Sequence, residues 1–219
     1  MTALSIRYVE TQPSLTGDVD GTLWQNAVPV PISQFLWCDP DQEPLSVARL
    51  LYDDNELFIQ YQVESDYIYA ETTTLNGPVW EDSCVELFAA VDPTRREHYF
   101  NFEVNCLGTV HLGIGTDRVD RDLITPELAE SIRIRTSVSG PTKTPADSDD
   151  HWWVAVAIPF NTLAALTGTP VAPTWGTTWY GNVHRLRSKP TPMFAAWKSV
   201  ETSEPNFHRP SAFDKLIFA

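Results

Sequence analysis

Read at every second residue, the stretch 99–105 separates into two chemistries: Phe100, Phe102 and Val104 on one side, Tyr99, Asn101, Glu103 and Asn105 on the other. In a strand, successive side chains point to opposite faces. The second set is therefore a row of fixed hydrogen-bonding groups with no lysine or serine of the kind that marks an idle solvent face. The run 82–88 behaves alike, with Val85 and Leu87 inward and Asp82, Cys84, Glu86 and Phe88 opposite. Tyr180, Asn182 and His184 likewise alternate with Gly181, Val183 and Arg185. If these strands are neighbours, one sheet carries a polar face of carboxylates, amides and imidazole edged by aromatic rings. Such a face suits neutral polyols: carboxylates and amides take hydroxyls that both donate and accept, and flat rings cover apolar C–H faces. Trp80, two residues before Asp82, and Trp197 supply the rings. The competing reading is an ordinary sheet face with core tryptophans. Arg185 and His208 are either site residues or buried framework.

The elements that position these groups are mostly strands. β-prone runs cover 46–52 and 56–64, joined by Asp53-Asp54-Asn55 as a hairpin, then 84–91, 98–105, 108–114, 132–138, 152–158, 178–186 and 212–218. The segment 159–166, with Pro159 at its start and Gly168 beyond its end, predicts a short helix, and 126–130 another turn. Strands with turns between them and almost no crossover helices imply an all-β fold. The expectation is an antiparallel β-sandwich, jelly-roll-like, with one or two short helices. The Pro-, Thr- and Asp-rich stretch 139–150 reads as an exposed loop inside a single domain spanning 1–219.

Composition narrows the function classes. The chain has 29 Asp and Glu against 15 Lys and Arg, a net charge of -14, and no basic run longer than Arg95-Arg96. Polyanion binding draws on clustered cations, so nucleic acid and anionic lipid are excluded as expected partners. No apolar run reaches the roughly 18 residues that span a bilayer. Cys38, Cys84 and Cys106 lack metal-ligand spacing, and their odd number argues for free thiols. Met1 to Glu10 has no basic segment followed by an apolar one, so the chain as written reads as cytosolic. Asp18-Val19-Asp20-Gly21 and Asp53-Asp54-Asn55-Glu56 offer hard oxygens for calcium, but neither has the twelve-residue loop pattern. No metal or cofactor is expected. Nucleophile elbows, phosphate loops and dinucleotide fingerprints are missing from the sequence.

Four segments, in order, resemble the family 9 carbohydrate-binding modules and their single-domain relatives. They are Leu51-Tyr52-Asp53-Asp54 with Leu57-Phe58-Ile59, the run 79–88, Tyr99 to Asn105 with Gly108, and the run 153–160. A closing set follows: 182–185, Ala196-Trp197, 206–210 and Phe213. The resemblance implies a β-sandwich that holds the terminal sugars of an oligosaccharide or polysaccharide between two tryptophans. It matches Trp80 to the first aromatic wall and Glu86 to the carboxylate beside it, and it places Asn182, Arg185 and Trp197 in the region of the second half, with Trp175 and Trp179 as rivals for the second wall. Members of that family are usually appended to secreted glycan-degrading enzymes and often hold structural calcium. The reading is thus a non-catalytic sugar-binding protein using Trp80, Glu86, Asn101, Glu103, Asn105, Asn182, Arg185 and Trp197. The alternatives are a glycoside-cleaving enzyme using Glu86 and Glu103, and a β-sandwich scaffold without a sugar ligand.

Overall fold

Runs rich in β-branched and aromatic residues pair into ladders wherever the sequence alternates, and a computed structural model shows fourteen such strands among residues 3–38, 44–144, 150–188 and 192–219, which it describes. They are β1 Leu4–Tyr8, β2 Val30–Pro31, β3 Gln34–Phe35, β4 Ser46–Tyr52, β5 Glu56–Glu64, β6 Cys84–Ala90, β7 Tyr99–Asn105, β8 Val110–Gly115, β9 Arg121–Leu123, β10 Arg133–Thr136, β11 His151–Pro159, β12 Thr178–Arg187, β13 Met193–Ala196 and β14 Asp214–Phe218. Two helices interrupt them, α1 Pro126–Ala129 and α2 Phe160–Thr167. Thr125 caps α1, and Gly168 ends α2 in the left-handed region at φ 67°. Of the predicted loop 139–150, residues 145–149 lie outside the described set; Thr142 bridges to Ala70.

The strands run β10-β11-β5-β4-β1-β14-β12-β6-β7-β8-β9, with β13 on β12, β3 on β13, and β2 on β4. The purely antiparallel expectation needs correction. Strand β1 pairs in parallel with β14 through Leu4–Ile6 and in parallel with β4 through Arg7 and Tyr8, so the sheet is mixed. The physical reason is that β1 divides its short length between two ladders and thereby joins the two halves of the fold. The inner faces pack on one another in a continuous apolar cluster that includes Leu50, Ile59, Tyr61, Val154 and Val156 from one half and Val85, Leu87, Phe100, Phe102 and Leu112 from the other. No described helix is long and apolar enough to cross a membrane.

Candidate functional site

Cross-strand register decides which outward side chains meet. Across β12, β6, β7 and β8, His184 lies opposite Glu86, Glu86 opposite Glu103, and Glu103 opposite His111. The neighbouring row is Asn182, Phe88, Asn101 and Gly113. Two glycines make these rows possible. A Cβ on Gly181 would stand 2.5 Å from the Phe88 carbonyl, and one on Gly113 3.2 Å from Asn101 Oδ1. The bare backbone at Gly113 leaves room for Arg121, whose Nε donates to Asn101 Oδ1 at 2.7 Å.

Above this floor opens a cleft of about 600 Å³, within the range of small-molecule sites. Its base holds Glu86, Phe88, Asn101 and Glu103; Trp37 and Trp80 stand on its walls, with Phe207 and His208 nearby. Trp80 rides on a single 3-10 turn, Val79–Glu81, and keeps 40% of its surface exposed. The turn is pinned from below by buried Asp82, which accepts from the amides of Glu71 and Thr72 and from Asn105 Nδ2 at 2.8 Å. The His111 ring meets the indole edge-on at 5.2 Å and is itself held by its Nδ1 against the Asn76 carbonyl. Trp37 sits at φ 54°, a left-handed conformation that a bulky residue adopts only at a cost. It is held there by its Nε1 donating to the Thr202 carbonyl at 2.7 Å and by packing on Phe207 at 5.2 Å and Phe194 at 6.0 Å.

The electrostatics of the floor are unusual. Glu86 and Glu103 are both buried and adjacent. Burial, then repulsion from Glu103, holds the Glu86 carboxyl well above the usual carboxylate range. Burial likewise lifts Glu103 to about 7, opposed by the Asn101 hydrogen bond and the Arg121 charge. The histidines move the other way: burial pushes His184 well down and His208 down to about 3. Glu86 Oε2 lies 3.1 Å from His184 Nδ1, a hydrogen bond shared between carboxyl and imidazole. His184 stacks on Phe207 at 4.1 Å, and His208 Nδ1 shares a hydrogen bond of 2.9 Å with the Tyr99 hydroxyl. Glu103 Oε1 accepts from Asn101 Nδ2 at 2.8 Å, whereas its Oε2 has no partner. That oxygen lies on the floor of the cleft with its hydrogen-bonding capacity in hand.

Of the residues singled out from sequence, the structure gathers Trp80, Glu86, Asn101 and Glu103 into this cleft. The other four lie elsewhere. Asn105 is buried and fully engaged, accepting from Leu107 and Thr109 amides and donating to Thr72 and Asp82. Asn182 Nδ2 donates to the Lys198 carbonyl while its Oδ1 accepts from Val183 and Lys198 amides, which fastens the segment after β13. Arg185 points to the inner face, where Nη1 donates to Ser46 Oγ at 2.9 Å and the Pro44 carbonyl. Trp197 packs against the main core beneath Lys198. Its rivals also stand apart from the cleft lining, with Trp175 82% exposed on a turn and Trp179 buried. The second indole of the cleft is Trp37, which sequence reasoning missed. Arg118, Arg121 and His111 also line it unannounced.

Other features resolve into framework. Asp53 Oδ1 accepts from the amides of Asn55 and Glu56 at 2.7 Å, closing the β4–β5 turn, and Glu56 pairs with Arg133 at 2.5 Å. No cluster of three or more His, Cys, Asp or Glu side chains is placed to hold a metal among the described residues. All three cysteines are free thiols.

Three comparisons bear on this geometry. A candidate carbohydrate-binding protein from Bacteroides uniformis superposes with a TM-score of 0.85 at 26% identity, over 99% of each chain. A family 9 carbohydrate-binding module from Caldicellulosiruptor kristjanssonii in complex with cellotriose has a TM-score of 0.65 at 15% identity, over 99% of this chain and 93% of that one. Its complex with glucose gives 0.62 at 16%, over 98% and 95%. At those identities the two Caldicellulosiruptor structures speak to the fold alone. No curated protein matches this sequence. The description of carbohydrate-binding family 9 matches residues 18–218, nearly the whole chain, and with the cleft just described it settles the classification: the chain belongs to carbohydrate-binding family 9.

Proposed function

We propose that the protein is a non-catalytic sugar-binding module whose cleft holds a saccharide between Trp37 and Trp80, over the Glu86–Glu103 floor. The observation that carries this reading is an open indole, Trp80, standing beside two buried carboxyl groups in one cleft. Raised proton affinities leave the floor without full charge near neutrality, and a protonated carboxyl both donates and accepts, as a hydroxyl requires. Asn101 orients Glu103 through its amide, and Arg121 in turn orients Asn101. Cellotriose and glucose, the ligands of the Caldicellulosiruptor family members, are the natural first probes.

A hydrolytic role for the two glutamates is disfavoured by their placement. Glycosidase carboxyls flank the scissile bond, one ionised and one protonated. Here both project from adjacent strands of one sheet face and both are pushed toward the protonated form. Calorimetric titration with cello- and xylo-oligosaccharides, run beside an assay for released reducing ends, tests the reading. Binding without release supports it, and silence in the titration with every glycan refutes it. Trp37→Ala is expected to lose affinity and Trp197→Ala to keep it; the reverse pattern returns the second wall to Trp197.

A further inference from the structure

The protein is strongly acidic, at a net charge of -14, yet the wall of the cleft built by the β8–β9 connection presents two guanidinium groups, Arg118 and Arg121. Arg121 is held by neutral acceptors only: Asn101 Oδ1, and the carbonyls of Asp117, Tyr99 and Gly113. Arg118 is exposed at the cleft edge. Neither forms an ion pair among the described residues. The same connection also carries Asp117, Asp120 and Asp122, none of which lines the cleft, and Asp117 Oδ1 accepts from the amides of Val119 and Asp120 at 2.7 and 2.9 Å. The two carboxyls that do line it are pushed by burial toward their neutral forms, Glu103 to about 7, which reduces the counter-charge they supply. His208, which lines the same cleft, is pushed down to about 3 by burial and then by the fields of Arg121, Arg118 and His111, with Asp117 opposing.

The aspartates of the β8–β9 connection thus lie outside the cleft lining, while two cations line it. In a protein of this charge they form a local positive field that a low-dielectric cleft focuses, and a guanidinium fork matches planar oxyanions. We infer that the cleft takes a saccharide bearing an anionic substituent, a uronate carboxylate or a sulfate ester, with Arg118 meeting the charge directly and Arg121 supplying the field beneath it. The inference rests on the sugar-binding reading above and adds the class of sugar.

The test is calorimetry on the full chain at neutral pH and low salt. Cellobiose is compared with its analogue ending in glucuronate, and glucose with glucose 6-sulfate. At least one anionic member is expected to bind about tenfold tighter than its neutral partner, the size of one charge-assisted hydrogen bond. That advantage should shrink in about 0.5 M salt. Tighter binding of the glucuronate compound alone assigns a carboxylate; tighter binding of both assigns a general oxyanion. Arg118→Gln should bring the ratio of anionic to neutral affinity close to one, while Arg118→Lys keeps part of it, with circular dichroism verifying that both variants fold. Neutral sugars that bind as well as or better than both anionic partners overturn the inference and leave the sugar-binding reading standing. If no sugar of either kind binds, both fall together.

Discussion

Replacing Trp80 with alanine separates the binding role of this ring from a structural one. The side chain is 40% exposed, so about 60% of its surface is covered by the protein. Aromatic side chains bury about 150–250 Å² when fully enclosed, so this one hides roughly 100–150 Å². At about 25 cal/mol per Å², that gives an upper bound of roughly 2.5–4 kcal/mol. The actual loss should be nearer 1–2 kcal/mol, since the alanine retains part of that surface, a relaxed loop recovers more, and the backbone bond from Ser188 Oγ to the Trp80 carbonyl survives. For a chain of this length that is a fall in Tm of about 2–8 °C. A stacking ring at the centre of a binding site costs about 2–4 kcal/mol of affinity on truncation, or roughly 30- to 1,000-fold in Kd. Titration of the variant with cellotriose, beside a thermal melt, gives both numbers. Trp24→Ala is the control: that ring is fully enclosed, is not part of the cleft lining, and should cost about 3–5 kcal/mol of stability with Kd unchanged. A Trp80→Ala protein that binds within threefold of the parent, or melts as early as the Trp24 variant, would refute the argument.

Other expectations follow from the same geometry. The Glu103 carboxyl is raised from 4.5 to about 7, so the folded state holds its proton more tightly than the unfolded chain does. Stability should therefore be fully present below about pH 4.5 and decline between there and about pH 7, by on the order of 1–3 kcal/mol. Urea melts across that range should show the slope, and Glu103→Gln should flatten its share; an unchanged slope would mean another group carries the proton. Arg185→Ala removes a buried cation from its Ser46 partner, so it should destabilise the fold by about 3 kcal/mol or more while the affinity of the folded fraction is kept. Loss of affinity at unchanged Tm would put Arg185 in the site. Gly181→Ala drives a Cβ to 2.5 Å from a backbone carbonyl, and a fall in Tm of more than about 6 °C is expected in a melt; a Tm within a degree of the parent would show that β12 and β6 can part.

Much of the fold is legible because alternation is a local property. The runs predicted at 46–52 and 56–64 coincide with β4 and β5, and the segment 159–166 with α2 to within a residue. The polar face of β7 could likewise be read by skipping positions, which brought Asn101 and Glu103 forward together. The same rule applied strictly to β12 sets Arg185 on the face opposite His184, where the structure has it. Asn105 and Asn182 show where alternation stops informing. Both lie on the expected face, but their amides are consumed by turns whose partners, such as Thr72 and Lys198, are distant in sequence. Trp37 was out of reach for a related reason. It belongs to no strand, and its place depends on Phe194, Thr202 and Phe207, more than 150 positions further along. The parallel pairing of β1 is equally non-local, since five residues of ordinary β-propensity do not announce two ladders.

That divided strand also governs the order in which the molecule can be assembled. Leu4–Ile6 pair with Leu216–Phe218, more than 200 positions further along, so that part of β1 stays open until β14 is in place, while Arg7 and Tyr8 can already pair with β4. Closure of that ladder thus joins segments far apart in sequence, with a large entropic search behind it. Until then, Thr178–Gly181 of β12 present the open strand edge that β14 later covers, the kind of edge another chain can pair with.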